Sequence, residues 1–197
     1  MTQPLSPVQL ESLRAQLAKG ARRSSEDLQQ RHATGSRLSV DALSLCPLAD
    51  FPRGAVCDEG DLVAGAVARF EGRASGTALL AVDPADALAW VRGGAPTEDP
   101  IARYLELAER VLVGCLGTLA AGIRAPVALA QPVLVEDSVV GILLATHAPS
   151  DTLVLSVQLT LEGTGLRVPV FLYALVDAKL LTLLADAGGD DEAVAGA

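Results

Sequence analysis

Apolar and polar positions recur with two different periods along the chain, and the change between them predicts the order of its elements. Residues 7–31 place leucines near helical spacing among many charged and amide side chains, which is typical of an amphipathic helix. The segments that follow are strand-like runs bounded by turn residues, and a proline suited to a first helical turn comes after the last of them. The expected order is strands over 38–46, 62–71 and 76–82, and then a short helix over 85–92.

A second long helix is predicted to begin at residue 98 or 99, where acidic side chains suit the positive end of a helix dipole, and to run to residue 121. Apolar runs between turn residues then predict four strands. Their expected ranges are 126–135, 138–146, 152–162 and 166–173. A leucine-rich closing helix is expected over 176–187, and the small acidic residues 188–197 predict a solvated tail.

The same order of elements occurs twice, in about residues 8–94 and again in about residues 98–187. A duplicated unit of this kind predicts one domain with pseudo-two-fold symmetry, in which both halves contribute strands to a single sheet. The expected fold class is therefore α/β in the broad sense (α+β). Two long helices are expected to pack together on one face of a largely antiparallel sheet.

Composition and charge narrow the partners of this domain. The chain has 197 residues, 50% of them apolar and 3% aromatic, and a net charge of -9. Few aromatic side chains and an acidic surface disfavour binding to nucleic acid and to anionic membranes. Cys46, Cys57 and Cys115 are widely spaced without a CxxC motif, and the N-terminus has no signal-peptide pattern. A cytoplasmic location is expected.

Two stretches carry a resemblance to a known family. Residues 70–94, FEGRASGTALLAVDPADALAWVRGG, are similar to a glycine-bearing strand pair that leads through a proline-begun turn into a short helix in the CheC, CheX and FliY phosphatases of bacterial chemotaxis. Residues 170–188, VFLYALVDAKLLTLLADAG, resemble the matching end of the second half. The resemblance extends over about residues 10–187 and implies a CheC-like fold.

The resemblance also implies where a site would lie. Each half of the family carries a helix with a Glu, an Asn three residues later and a Pro about 23 positions beyond. In the second half of this chain, Glu106 stands at the Glu position, Glu109 at the Asn position and Pro132 at the Pro position. In the first half all three residues are replaced. The degenerate first site consists of Ala15, Ala18 and Asp41.

A second alignment of the later helix shifts it by three residues. It makes Glu109 the family Glu and places Leu112 at the Asn position, but it loses the spacing to Pro132. Neither alignment supplies an Asn, and the spacing favours the first.

The family removes phosphate from the aspartyl-phosphate of a CheY-type response regulator. The resemblance implies that Glu106 holds the lysine of a phosphorylated regulator, that the Asn position orients the attacking water, and that the magnesium belongs to the regulator, with no cofactor bound by this chain. An ionised Glu109 only accepts hydrogen bonds, and it adds charge beside an anionic phosphoryl group. At about 4 Å and an effective dielectric constant near 20 the repulsion is about 4 kcal/mol, so we expect phosphatase activity to be weak or lost. Glu109 as an acceptor or base for the water is the alternative.

Other functions stay open from the sequence. The domain could bind a regulator or a CheD-like deamidase without catalysis, or it could serve in the flagellar switch like the middle domains of FliM and FliY. Against the switch, such proteins usually carry a further domain, and none is expected after residue 187.

Plain structural interpretations also stay open for the polar residues. Glu106 and Glu109 could be a solvated helix face, and Pro132 a strand-entry proline. His147 and His32 are expected to be structural, and Ser24 and Ser25 lack a nucleophile motif. The basic residues of the first helix could contact an acidic partner or simply be solvated. They are Lys19, Arg22, Arg23 and Arg31.

Overall fold

The computed structural model describes residues 5–32, 36–53, 61–72, 75–92, 99–122, 127–163 and 165–176. Four α-helices lie in these segments. They are α1 (Pro7–His32), α2 (Pro84–Val91), α3 (Pro100–Gly122) and α4 (Val139–Ala145). Seven strands and one 3-10 helix accompany them. The strands are β1 (Arg37–Pro47), β2 (Leu62–Gly72), β3 (Gly76–Val82), β4 (Val127–Leu129), β5 (Val133–Ser138), β6 (Leu153–Gly163) and β7 (Leu166–Val176), and the 3-10 helix is Leu48–Arg53.

The described strands form one antiparallel sheet in the order β1-β6-β7-β3-β2, and both β4 and β5 pair with the far side of β2. The strand order has two-fold symmetry. β1 at one edge corresponds to the β4/β5 pair at the other, β6 corresponds to β2, and β7 corresponds to β3. The predicted fold class is therefore confirmed, with strands of both sequence halves interleaved in one sheet. The boundaries of the two halves stay a prediction.

The two long helices lie side by side on one face of the sheet, as the sequence predicts. Their leucines share the main core with inward side chains of β6 and β7. Leu17 of α1 and Leu159 of β6 are both fully buried there. The opposite face is covered by α4 and by the 3-10 helix, through a smaller core around Phe51 and Tyr173. No described helix is long and apolar enough to cross a membrane.

The strand predicted over residues 138–146 is wrong, because this segment forms α4. Ser138 caps the helix, since its hydroxyl accepts a hydrogen bond from the backbone N–H of Gly141 at 3.1 Å. The buried residues Val139, Ile142 and Leu143 follow helical spacing, and they pack on the sheet. The β-branched side chains favoured the strand interpretation, whereas the serine cap and the spacing were the signals for a helix.

Two further expectations differ from the structure. The single strand expected over residues 126–135 is split into β4 and β5. The last strand, β7, extends to Val176, where the closing helix was expected to begin. The rest of that helix and the acidic tail lie outside the described residues.

Candidate functional site

The outer stripe of α3 holds both predicted glutamates. Glu106 and Glu109 are partly exposed, and Val113 and Gly117 continue the same stripe toward the end of the helix. The inward side of α3 is formed by Tyr104, Leu107, Ala108, Val111, Leu112, Cys115, Leu116 and Leu119. Residues three apart on a helix are neighbours, so the structure brings the two carboxylates together on a surface that a partner can reach.

Glu106 is held within a small ion-pair network between α1 and α3. Its Oε1 lies 3.9 Å from Nη2 of Arg110, and Nε of Arg110 lies 3.4 Å from Oδ2 of Asp27. The side chains of Glu106 and Asp27 are 42% and 36% exposed, so solvent screens these pairs and each contributes little to stability. Glu106 can therefore exchange the arginine for a cation on a partner at small cost.

Burial distinguishes the two alignments of α3. Leu112, which the alternative places at the Asn position, is 0% exposed and belongs to the main core. A residue so enclosed cannot contact a partner. The alignment with Glu106 at the Glu position and Glu109 at the Asn position puts both residues at the surface, and it remains the preferred assignment.

A close crossing with α1 positions α3. At Gly20, an added Cβ would lie 2.6 Å from the carbonyl oxygen of Gly114 and 2.8 Å from Cα of Cys115, so the two backbones touch there. Ser24, 1% exposed, donates from its hydroxyl to the carbonyl of Arg110 at 3.1 Å, one residue from Glu109. Sequence reasoning missed this role of Ser24. The signal was a small residue one helical turn after a glycine on the buried side of α1.

Ser25 has a related structural role that the sequence analysis also missed. Its buried hydroxyl donates to the carbonyl of Ala21 at 2.8 Å and accepts from the backbone N–H of Leu38 at 2.8 Å. This pair of bonds joins α1 to β1. Neither serine is therefore available as a nucleophile.

Pro132 lies at a break in the edge strand nearest to α3. It is buried between β4 and β5. Leu129 pairs with Phe70 and Val133 with Val67, so residues 130–132 lie opposite only two residues of β2. This one-residue excess is a β-bulge, and a proline fits there because the position needs no ladder hydrogen bond.

The first half contains a matching bulge at Asp41. The register of β1 against β6 shifts by one residue between Val40 and Ala42, and Asp41 is the extra residue. Its Oδ2 accepts a 2.5 Å hydrogen bond from the hydroxyl of Thr160, and its carbonyl accepts from Nη2 of Arg14 at 3.2 Å. The aspartate thus holds the first bulge through side-chain contacts.

The other degenerate positions of the first half lie on α1. Ala15 is exposed and Ala18 is partly buried. Neither methyl side chain offers a hydrogen-bond donor or acceptor. The first half therefore retains the bulge, but the two corresponding helix positions, Ala15 and Ala18, carry no polar group.

The contact between Asp41 and Thr160 gives a stability prediction. Asp41→Ala and Thr160→Val are each expected to lower the free energy of unfolding by about 1 kcal/mol, because each removes one partner of a partly buried hydrogen bond. The double variant should cost less than the sum of the single variants. Urea denaturation of the four proteins measures this coupling, and additive losses would contradict the bond.

The remaining candidates lie away from this site. His147 follows α4 with φ of 54°, a left-handed conformation that ends the helix, and it is exposed. Burial raises the pKa of the Cys115 thiol to about 12, so this cysteine stays protonated inside the core. Cys57 lies outside the described residues, and so does the side chain of His32.

Neither a protein-family model nor a curated protein sequence matches this chain. Among solved structures, its fold is similar to FliY from Thermotoga maritima, with a TM-score of 0.68 and 11% identity over 95% of this chain and 99% of that one. It is also similar to a chain of the FliG-FliM complex from H. pylori, with a TM-score of 0.65 and 11% identity over 90% of this chain and 100% of that one. For CheX from Desulfovibrio desulfuricans the TM-score is 0.53, with 12% identity over 84% and 99% of the two chains. The chain therefore has the CheC/CheX/FliY-type fold.

Proposed function

We propose that this chain is a cytoplasmic, CheC-like chemotaxis protein that binds a phosphorylated CheY-type response regulator through the outer stripe of α3, with weak or absent phosphatase activity. The observation that carries the proposal is the placement of Glu106 and Glu109. Both carboxylates lie one turn apart on the exposed side of a helix whose opposite side is locked into the core. A rigid helix that presents two aligned charges suits recognition of a cation on a partner.

Glu106 is assigned to the lysine of the regulator. In the free protein its carboxylate faces Arg110 at 3.9 Å, and Arg110 also contacts Asp27. When a lysine approaches, Arg110 keeps its pair with Asp27, so no charge is left unpaired.

Glu109 accounts for the proposed loss of catalysis. In phosphoryl transfer the protein mostly positions the attacking water and stabilises charge on the transferring group. A carboxylate at this place repels the phosphoryl oxygens and cannot donate to them. The magnesium that the reaction uses would be part of the regulator.

The decay of a phosphorylated receiver domain from the same organism tests this function. With excess wild-type protein, we expect the aspartyl-phosphate to decay at its own rate or more slowly, because binding covers the site without supplying a positioned water. Faster decay that disappears in Glu106→Ala and in Glu109→Ala would show instead that Glu109 is a working catalytic residue.

A role in the flagellar switch is the second candidate, and one observation favours it. The FliY structure and the FliG-FliM chain are more similar to this fold than the CheX structure is, with TM-scores of 0.68 and 0.65 against 0.53. Capture of rotor proteins such as FliG by the purified chain would support this candidate. Capture of a CheD-like protein would support an adaptor role.

A further inference from the structure

The outer face of the α1/α3 helix pair is divided into two halves of opposite charge. Three contacts fix the direction of the two helices. Gln16, Gly20 and Asp27 of α1 lie at Gly122, Gly114 and Arg110 of α3, respectively, so residue numbers rise along α1 as they fall along α3. The helices are therefore antiparallel. The early turns of α1 lie beside the last turns of α3, and the late turns of α1 lie beside the site helix residues Glu106 and Glu109.

The half that contains residues 7–23 of α1 is basic. Its exposed cations are Arg14, Lys19, Arg22 and Arg23, against one exposed carboxylate, Glu11. The adjacent part of α3, from Val111 to Gly122, has no charged residue that could neutralise them. Within the described part of the chain, Lys19, Arg22 and Arg23 form no ion pair. We name this surface the basic half-face.

The other half carries the opposite charge. Glu26, Asp27, Glu106 and Glu109 lie there, with Arg103 and Arg110 as the cations among them. A chain with a net charge of -9 thus concentrates exposed positive charge beside its candidate site. Arg22 and Arg23 lie only four or five residues before Asp27 on α1, which is about 6–8 Å along the helix and within the Debye length at physiological salt, so one partner experiences both halves.

We propose that the basic half-face docks an acidic surface of the same partner whose lysine pairs with Glu106, and that it accelerates the encounter of the two proteins. This inference rests on the proposed function. The partner must carry carboxylates next to a lysine, which complements the two halves of the face in one orientation only. Extended polyanions fit less well, because they would run past the basic half-face onto the acidic remainder of the surface.

Charges at the rim of an interface mainly change the association rate and its dependence on salt. The double variant Arg22→Glu/Arg23→Glu is therefore expected to lower the association rate constant about tenfold or more at low salt. The dissociation rate should change less. Near 0.5 M NaCl the difference from wild type should shrink to about twofold, because salt screens exposed charges.

A matched control separates the local surface from net charge. Arg37→Glu/Arg69→Glu makes the same change in net charge at two exposed arginines on the opposite face of the sheet, since their neighbours Leu38 and Phe70 point into the core under the helices. This control should bind with nearly the wild-type rate. Thermal unfolding of both double variants verifies that their folds are intact.

The measurement is stopped-flow association with a beryllofluoride-activated receiver domain from the same organism. A slower rate in the α1 variant alone supports the basic half-face. Equal effects of both double variants, or no effect of either, would overturn it while leaving the proposed function in place. Failure of the wild-type protein to bind the activated receiver would instead remove the proposed function, and this inference with it.

Discussion

Gly20→Ala is expected to lower the free energy of unfolding by about 2–3 kcal/mol. The added methyl group would lie 2.6 Å from the carbonyl oxygen of Gly114 and 2.8 Å from Cα of Cys115. These are backbone atoms of α3 that cannot rotate away, so the helices must separate and the core beneath them must loosen. Because alanine otherwise favours a helix over glycine, a loss of stability here has to come from the crossing.

Gly117→Ala is the matched control in the neighbouring helix. Nothing lies within 4 Å of a Cβ added there, and the position is exposed on the outer stripe of α3. Alanine should raise stability by about 0.5–1 kcal/mol, since it restricts the unfolded chain at no steric cost. Urea denaturation followed by the fluorescence of Trp90, the one tryptophan of the chain, measures both variants. Equal effects of the two substitutions would contradict the close crossing.

Glu109→Asn is expected to increase the decay rate of a phosphorylated receiver domain about tenfold or more over the wild-type protein. The substitution removes a negative charge that faces the phosphoryl group and supplies an amide that both donates and accepts. Relief of even part of a repulsion of about 4 kcal/mol is enough for this effect, because about 1.4 kcal/mol corresponds to a tenfold change in rate.

Glu109→Gln separates charge from position. Glutamine has the length of glutamate and no charge, so Glu109→Gln should recover part of the decay rate if charge repulsion dominates. If the position of the amide also matters, the decay rate with Glu109→Asn should exceed that with Glu109→Gln. A decay rate that falls in Glu109→Asn below that of the wild type would contradict the account, since Glu109 would then be needed for catalysis.

Local sequence signals predicted most of the fold. The leucine spacing of α1 and the acidic start of α3 gave helices close to the observed Pro7–His32 and Pro100–Gly122. The segment of α4 was missed because Val139 and Val140 favour strands locally, whereas its helix depends on the Ser138 cap and on packing against the sheet. The 3-10 helix was not predicted either. It lacks an apolar period, and Phe51 anchors it through tertiary contacts.

The candidate site was predictable in part. Helical spacing placed Glu106 and Glu109 on one face, and the family resemblance, through its spacing of about 23 residues, implied Pro132. The ion pair from Arg110 to Asp27, the bond from Ser24 to the carbonyl of Arg110 and the bulge contact between Asp41 and Thr160 join residues that are distant in sequence. No local pattern encodes such pairs, because they depend on how the helices cross and how the strands register.

The central claim is that α3 recognises a phosphorylated regulator through Glu106. Isothermal titration calorimetry of the chain with a receiver domain, in the presence and in the absence of beryllofluoride and magnesium, tests it most directly. We predict binding to the activated receiver that weakens by about tenfold or more in Glu106→Gln, and much weaker binding to the inactive receiver. Equal affinity for both forms, or activated binding that does not change in Glu106→Gln, would contradict the account.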